Sequence, residues 1–293
     1  MHVLICRLRA PVHVRRPSRL HLCLSSSLQS FSSSVKSKPS VLDGRDGVVQ
    51  FANRAMERVS THMERYREHR VFAPSNWMLH NYLLFTKLQL PTNTEIDAVE
   101  FLNGAQFACD LVVNTMYSSE FVNFATGTIT ESPAAEKLKL GLSENCYDAF
   151  LFAIKQTNNK GHRFKLNKLD INGIYLDDVN WVRISLARLK QEQALEAYNR
   201  AHVAQLEKQE ESGSLKSQDK VVEKPIVDIK SEDHAVMIER LQLDVQLDAV
   251  EHLEVVTPEA TDQTIEKKSS VVWRFESLVT QPEDLDWRIV SVI

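Results

Sequence analysis

From Val48 to Tyr66 apolar residues recur at Ala52, Ala55, Met56, Val59, Met63 and Tyr66, with Arg54, Glu57, Arg58, Arg65 and Arg67 between them. Steps of three and four match the period of an α-helix, so this stretch is predicted to be amphipathic and helical. Beyond Pro74, the run from Trp77 to Leu90 is apolar and aromatic. It is too short and too polar to cross a bilayer, which needs about 20 apolar residues. Residues 41–92 therefore read as a helical arm, packed on its own domain or, alternatively, lying on an anionic membrane surface. Pro91 and the Thr94-Glu-Ile-Asp97 group, which has the form of a capping box, open the next helix. Its stripe is Val99, Leu102, Ala105, Cys109, Val112 and Met116. A second helical region carries Leu138, Leu140, Tyr147, Phe150, Leu151 and Ile154, and Gly161 supplies its stop.

After Gly161 the period shortens. Short β-like runs are predicted over 164–169, 173–176 and 179–186, with the Asp177-Asp178 pair reading as a turn. At about residues 187–235 Lys, Glu, Gln and Ser dominate; the first part has helix-forming composition, and 212–233 reads as a charged linker. The region is an insertion between strands. Leu241, Leu243, Val245 and Leu247 then alternate with polar residues, as a half-buried strand requires. Two more strands are predicted over 271–279 and 286–293. Helices first and an antiparallel meander last make an α+β fold, with helices covering one face of the sheet.

Charge divides the chain. Residues 1–42 hold Arg7, Arg9, Arg15, Arg16, Arg19, Lys36 and Lys38 and no acid. The whole chain has 35 basic and 39 acidic residues, so the remainder carries 28 against 39, a net of −11. An acidic body repels phosphate backbones, which argues against nucleic acid as the main partner. The first segment is rich in Arg and Ser, and places Leu20, Leu24, Leu28 and Phe31 on one helical stripe. That is the pattern of a mitochondrial transit peptide over about residues 1–40, with a basic tail and a secretory signal as the alternatives. The absence of an Asn-x-Ser/Thr sequon counts mildly against secretion. In the body only Cys109 and Cys146 occur, with no zinc or CxxC spacing, and both read as small core residues.

No phosphate-binding glycine loop, zinc-protease, nucleophile-elbow or EF-hand pattern occurs. His162, His252, Asp170 and Asp244 are the acids and bases available to a pocket enzyme, an isomerase or dehydratase. Isolated residues of this kind are usually at the surface or a strand edge. No catalytic residue, cofactor or metal ligand is assigned.

Two segments carry a family resemblance. Phe101-Leu-Asn-Gly-Ala-Gln-Phe-Ala108 resembles the signature that opens the Tim-forty-four-like domain. Val272-Trp-Arg-Phe275, a short turn and Asp286-Trp-Arg-Ile289 resemble its closing hairpin. The likeness runs from about Ile96 to the C-terminus, so residues 93–293 would be that domain, interrupted by the insertion at 187–235. It implies a cone of helices against a curved antiparallel sheet, similar to nuclear-transport-factor-two-like domains. It also implies a non-enzymatic adaptor at the matrix face of the mitochondrial inner membrane. The implied partner is an inner-membrane protein complex: an AAA protease, a translocase or the mitoribosome. A component of the large mitoribosomal subunit, or a ribosome receptor, is the alternative.

On this reading Arg54, Arg58, Arg65, Arg67 and Arg70 are candidates to meet anionic lipid, each worth on the order of 1 kcal/mol near the surface. Trp77, Tyr82 and Phe85 would sit at the interface. Phe101, Trp273, Phe275 and Trp287 are candidates to line a pocket, although their spacing suits core aromatics as well. Gly104 is expected to allow close packing of helix on sheet.

Overall fold

The computed structural model describes residues 40–161, 163–212, 227–257 and 260–293. The leader before Ser40, His162 and residues 213–226 of the charged linker lie outside the described residues. Among those described, seven α-helices and one four-stranded antiparallel sheet form a mixed α and β structure. The helices are α1 (Arg45–Glu68), α2 (Met78–Leu88), α3 (Ala98–Met116), α4 (Ser119–Ala125), α5 (Pro133–Gly141), α6 (Glu144–Asn159) and α7 (Leu186–Ser212). The strands β1 (Arg163–Ser185), β2 (Met237–Thr257), β3 (Ala260–Leu278) and β4 (Arg288–Val292) pair in chain order as a meander.

The helix start expected at Thr94 is a correction. Asp97 caps α3, its Oδ1 accepting from the backbone N–H groups of Val99 and Glu100. Thr94 instead donates its hydroxyl to the carbonyl of Val279, tying the connector to the sheet. The second helical region is two helices. Leu142 is extended and bridges to Ile289 of β4, and Ser143 begins α6 by accepting from Cys146 N–H. Helix α4 went unread because seven residues are too short to show a period, although Ser118 caps it in the usual way.

The three short runs after Gly161 are one 23-residue strand. Its pairing with β2 shifts at Asn167, Asn172 and Asp177, each an extra residue with no opposite number. The predicted turn at Asp177-Asp178 is therefore a β-bulge. Each bulge adds one residue to the alternation, so the side chains facing the helices fall at Phe164, Leu166, Leu169, Ile171, Ile174, Leu176, Val179 and Trp181. Intervals alternate two and three, a five-residue repeat that a search for strict alternation breaks into pieces.

The opposite residues of β2 and β3 complete this face: Leu241, Leu243, Val245, Leu247, Val271, Trp273 and Phe275 are buried against the helices. Cys109 and Cys146 belong to the same core, and burial pushes both thiols up, Cys146 to about 12. The other face is polar. It carries Lys165–Glu254 at 3.0 Å, and Asp244 bound by both Nε and Nη2 of Arg274 at 2.7 Å. Near one end α7 crosses toward this face, where Arg240 pairs with Glu192 at 2.9 Å.

The arm is part of the same core: Tyr66, Phe72, Leu84, Phe85 and Leu88 cluster with α3 and the sheet. Adjacent residues of α1 close on the start of α3. The Tyr66 hydroxyl accepts from Ala98 N–H at 3.1 Å, and Arg65 pairs with the Asp97 carboxylate. Burial alone would raise the pKa of Asp97, but the Arg65 guanidinium and the two capping N–H groups together hold it below the usual aspartate range. A depressed folded pKa gives stability that is present above the unfolded pKa and lost as pH falls through the folded value. Asp97→Ala should therefore lower unfolding free energy by about 1–2 kcal/mol at pH 7. Urea titrations at stepped pH should show the gap from wild type closing below the ordinary aspartate range.

Candidate functional site

Three of the five arginines assigned to lipid are committed to the fold. Helix α1 turns Arg54, Arg58, His62 and Arg65 to one side, against the connector between α2 and α3. Arg54 donates to Thr92 O at 3.0 Å; Arg58 to Gln89 at 2.9 Å and Glu95 at 2.6 Å; Arg65 to Asp97. Burial and neighbouring Arg58 pull the Arg54 pKa down, with Glu239 offsetting them in part. These contacts, at 2.6–3.0 Å for Arg54 and Arg58, give the three arginines a structural role in joining α1 to the connector. Arg67 and Arg70 remain exposed, Arg67 lying 3.9 Å from Glu64.

The aromatic candidates divide similarly. Phe85 is fully buried, with its ring 6.0 Å from that of Tyr66, and cannot reach an interface. Trp77 and Tyr82 are exposed, and they stand with Met78, Leu79 and Leu83, which are 73, 54 and 53% exposed. The fold places this apolar crest in solvent. The reason is visible in the turn of α2, whose Leu84, Phe85 and Leu88 face inward and leave the residues at the opposite arc without a neighbour.

Beside the crest, α1 and α2 enclose an open groove of about 790 Å³. Val59 and Met63 form one wall, Met78, Asn81 and Tyr82 the other, and Phe72 part of the floor. Arg67 and Arg70 stand at the rim with Glu64. The Asn81 Oδ1 is buried and accepts no hydrogen bond among the described residues. Sequence reasoning missed Met63, Asn81 and Met78 as site residues. The available signal was Met56, Val59 and Met63, of which Val59 and Met63 pack against the core at the groove's edge and Met56 stays exposed.

Phe101, Phe275, Trp287 and Trp273 do not line this groove. Phe101 meets Phe275 edge-on, with ring centres 5.5 Å apart, and Trp287 at 4.8 Å; Trp273 is fully buried. Trp273 and Phe275 are core residues, with Phe101 and Trp287 half-buried against them. Gly104 is likewise corrected, because a Cβ placed there would meet nothing within 4 Å, so close packing does not require the glycine. Of the acids and bases, His252 and Asp170 do come together at 3.3 Å, with Glu266 at 3.5 Å from the other ring nitrogen. They lie on the polar face of the sheet, away from the helices. Asp244 is held there by Arg274.

No family model matches the chain, and no curated protein is detectably similar to it. Among the described residues no helix is long and apolar enough to cross a membrane. What the geometry defines is an α and β protein with an apolar crest and an adjoining groove on its first two helices. If the crest serves contact and not folding, Leu79→Glu with Leu83→Glu should shift unfolding free energy by no more than about 0.5 kcal/mol per site. Phe85→Ala should cost about 3–5 kcal/mol. Urea denaturation of the three proteins checks both.

Proposed function

We propose that this protein is a non-enzymatic adaptor of the mitochondrial matrix, working at the inner-membrane face and belonging among Tim-forty-four-like domains. The observation that carries the reading is the crest of Trp77, Met78, Leu79, Tyr82 and Leu83, a contiguous apolar surface the fold itself does not use. Exposed patches rimmed by polar residues are characteristic of interaction sites. Two further features support it. The basic, acid-free leader suits delivery to the matrix. The residues that carry the family resemblance, far apart in sequence, meet in space, Phe101 standing against both Phe275 and Trp287. A cone-shaped helical layer on a curved sheet is the finer architecture this proposal implies.

The partner on this reading is an inner-membrane protein complex: an AAA protease, a translocase or the mitoribosome. Direct lipid binding is the weaker part, since only Arg67, Arg70, Trp77 and Tyr82 of the eight candidates are free to take part. Glu64 and Glu68 are exposed beside those arginines and reduce their attraction to an anionic surface.

Proximity labelling from the full-length protein in living cells tests the proposal. Matrix-facing subunits of one such complex should dominate the labelled set. The signal should fall about tenfold in the Leu79→Glu, Leu83→Glu protein, the loss of roughly 1.4 kcal/mol of binding. Labelling confined to cytosolic or secretory proteins would overturn the assignment.

A further inference from the structure

We infer that proteolytic removal of the leader stops before Ser40, and that the turn formed by residues 40–47 is the lock that sets this boundary in the mature protein. The removal itself rests on the matrix reading; the lock specifies where it ends.

Ser40 is 1% exposed, although it is polar and precedes the first helix. Its N–H donates to the Asp43 carboxylate at 2.6 Å, and its carbonyl accepts from Asp43 N–H at 2.9 Å. Its hydroxyl accepts from Leu42 N–H at 3.4 Å. The Asp43 side chain thus answers the Ser40 N–H as the acidic residue of a capping box does.

Two further contacts tie this turn to the body. Arg183 of β1 donates to Asp43 at 2.7 Å, and that bond, with the one from Ser40 N–H, holds the Asp43 carboxyl below the usual aspartate range. Gly47, in the first turn of α1, lies so close to Ser40 that a Cβ there would overlap the Ser40 carbonyl oxygen. The glycine answers a contact that exists only while Ser40 is part of the chain.

A peptidase binds several residues in extended form, so a bond within a folded turn is cut only in proportion to how often the turn opens. A cut on the C-terminal side of Ser40 deletes the N–H that Asp43 binds and leaves a void beside Gly47. A cut on the N-terminal side keeps every one of these contacts. Of the products made from an unfolded precursor, only the second folds with the start of α1 fixed, and it is the one that accumulates.

The N-terminus of the mature protein provides the test. Full-length protein with a C-terminal affinity tag, recovered from whole cells and from isolated mitochondria, should begin at or upstream of Ser40 by mass spectrometry. A start at residue 41 or later would overturn the inference. Matrix protein that still begins at Met1 would overturn it and leave the matrix assignment standing; uncut protein found only outside mitochondria would overturn both. Gly47→Val separates the lock from recognition by the processing peptidase, because it leaves residues 1–46 unchanged. The share of chains beginning at or before Ser40 should fall about tenfold as the turn opens correspondingly more often, with new starts inside α1. Arg183→Gln, which removes only the tie to β1, should give the same products in smaller amount and serves if the valine variant does not fold. Termini unchanged in both variants would overturn the lock.

Discussion

Tyr66 is the side chain on which the arrangement of the helical layer depends. Its ring is buried among His62, Phe72 and Phe85, and its hydroxyl accepts from the first N–H of α3. Burying a phenol costs free energy unless its oxygen is satisfied. The position that satisfies it also fixes where α3 begins. Arg65, one residue earlier, repeats the message electrostatically by pairing with the residue that caps the same helix. Because α3 supplies Leu102, Cys109 and Val112 to the core on the sheet, locating its first turn locates the rest.

The same clamp decides what is left for interaction. Once α1 is committed along Arg54, Arg58, His62 and Arg65 to the connector, Val59 and Met63 lean on the edge of the core and Met56 is left in solvent. Helix α2 is fastened from its own opposite flank, where Lys87 meets Asp178 at 2.6 Å and the preceding segment bridges Phe72 to Leu176. Two helices are thus each held from one side, and the space between them is lined but not closed. Charge and apolar surface both hold α1 to its own domain: the arginine stripe reaches the connector, and Val59, Met63 and Tyr66 reach the core.

Much of this was legible in the sequence. The amphipathic spacing of α1 and α3, the glycine stop at Gly161 and the alternation of Leu241 to Leu247 each state a local rule that the fold obeys, as does the order of helices before strands. What was not legible depended on pairing between distant residues. An arginine on an amphipathic helix looks the same whether it faces lipid or, as with Arg58, a glutamate 37 residues on. Phe85 and Tyr82 are both aromatic members of one apolar run, and only the rotation of α2 puts one in the core and one in solvent. The bulges of β1 hid its continuity, because Asn167, Asn172 and Asp177 are common turn formers; their common spacing of five was the signal that they belong to one strand.

That spacing bears on how the molecule survives at high concentration. β1 is an edge strand of 23 residues, and an edge of that length with regular N–H and C=O spacing would invite another chain to add itself as a new strand. A bulge every five residues spoils the match: no straight strand can stay in step with it for more than a few pairs. At Leu176 the segment around Phe72 already occupies the edge, with Leu176 N–H donating to Val71 O at 2.7 Å. Irregularity along the border thus keeps a long sheet from polymerising while leaving its packed face continuous.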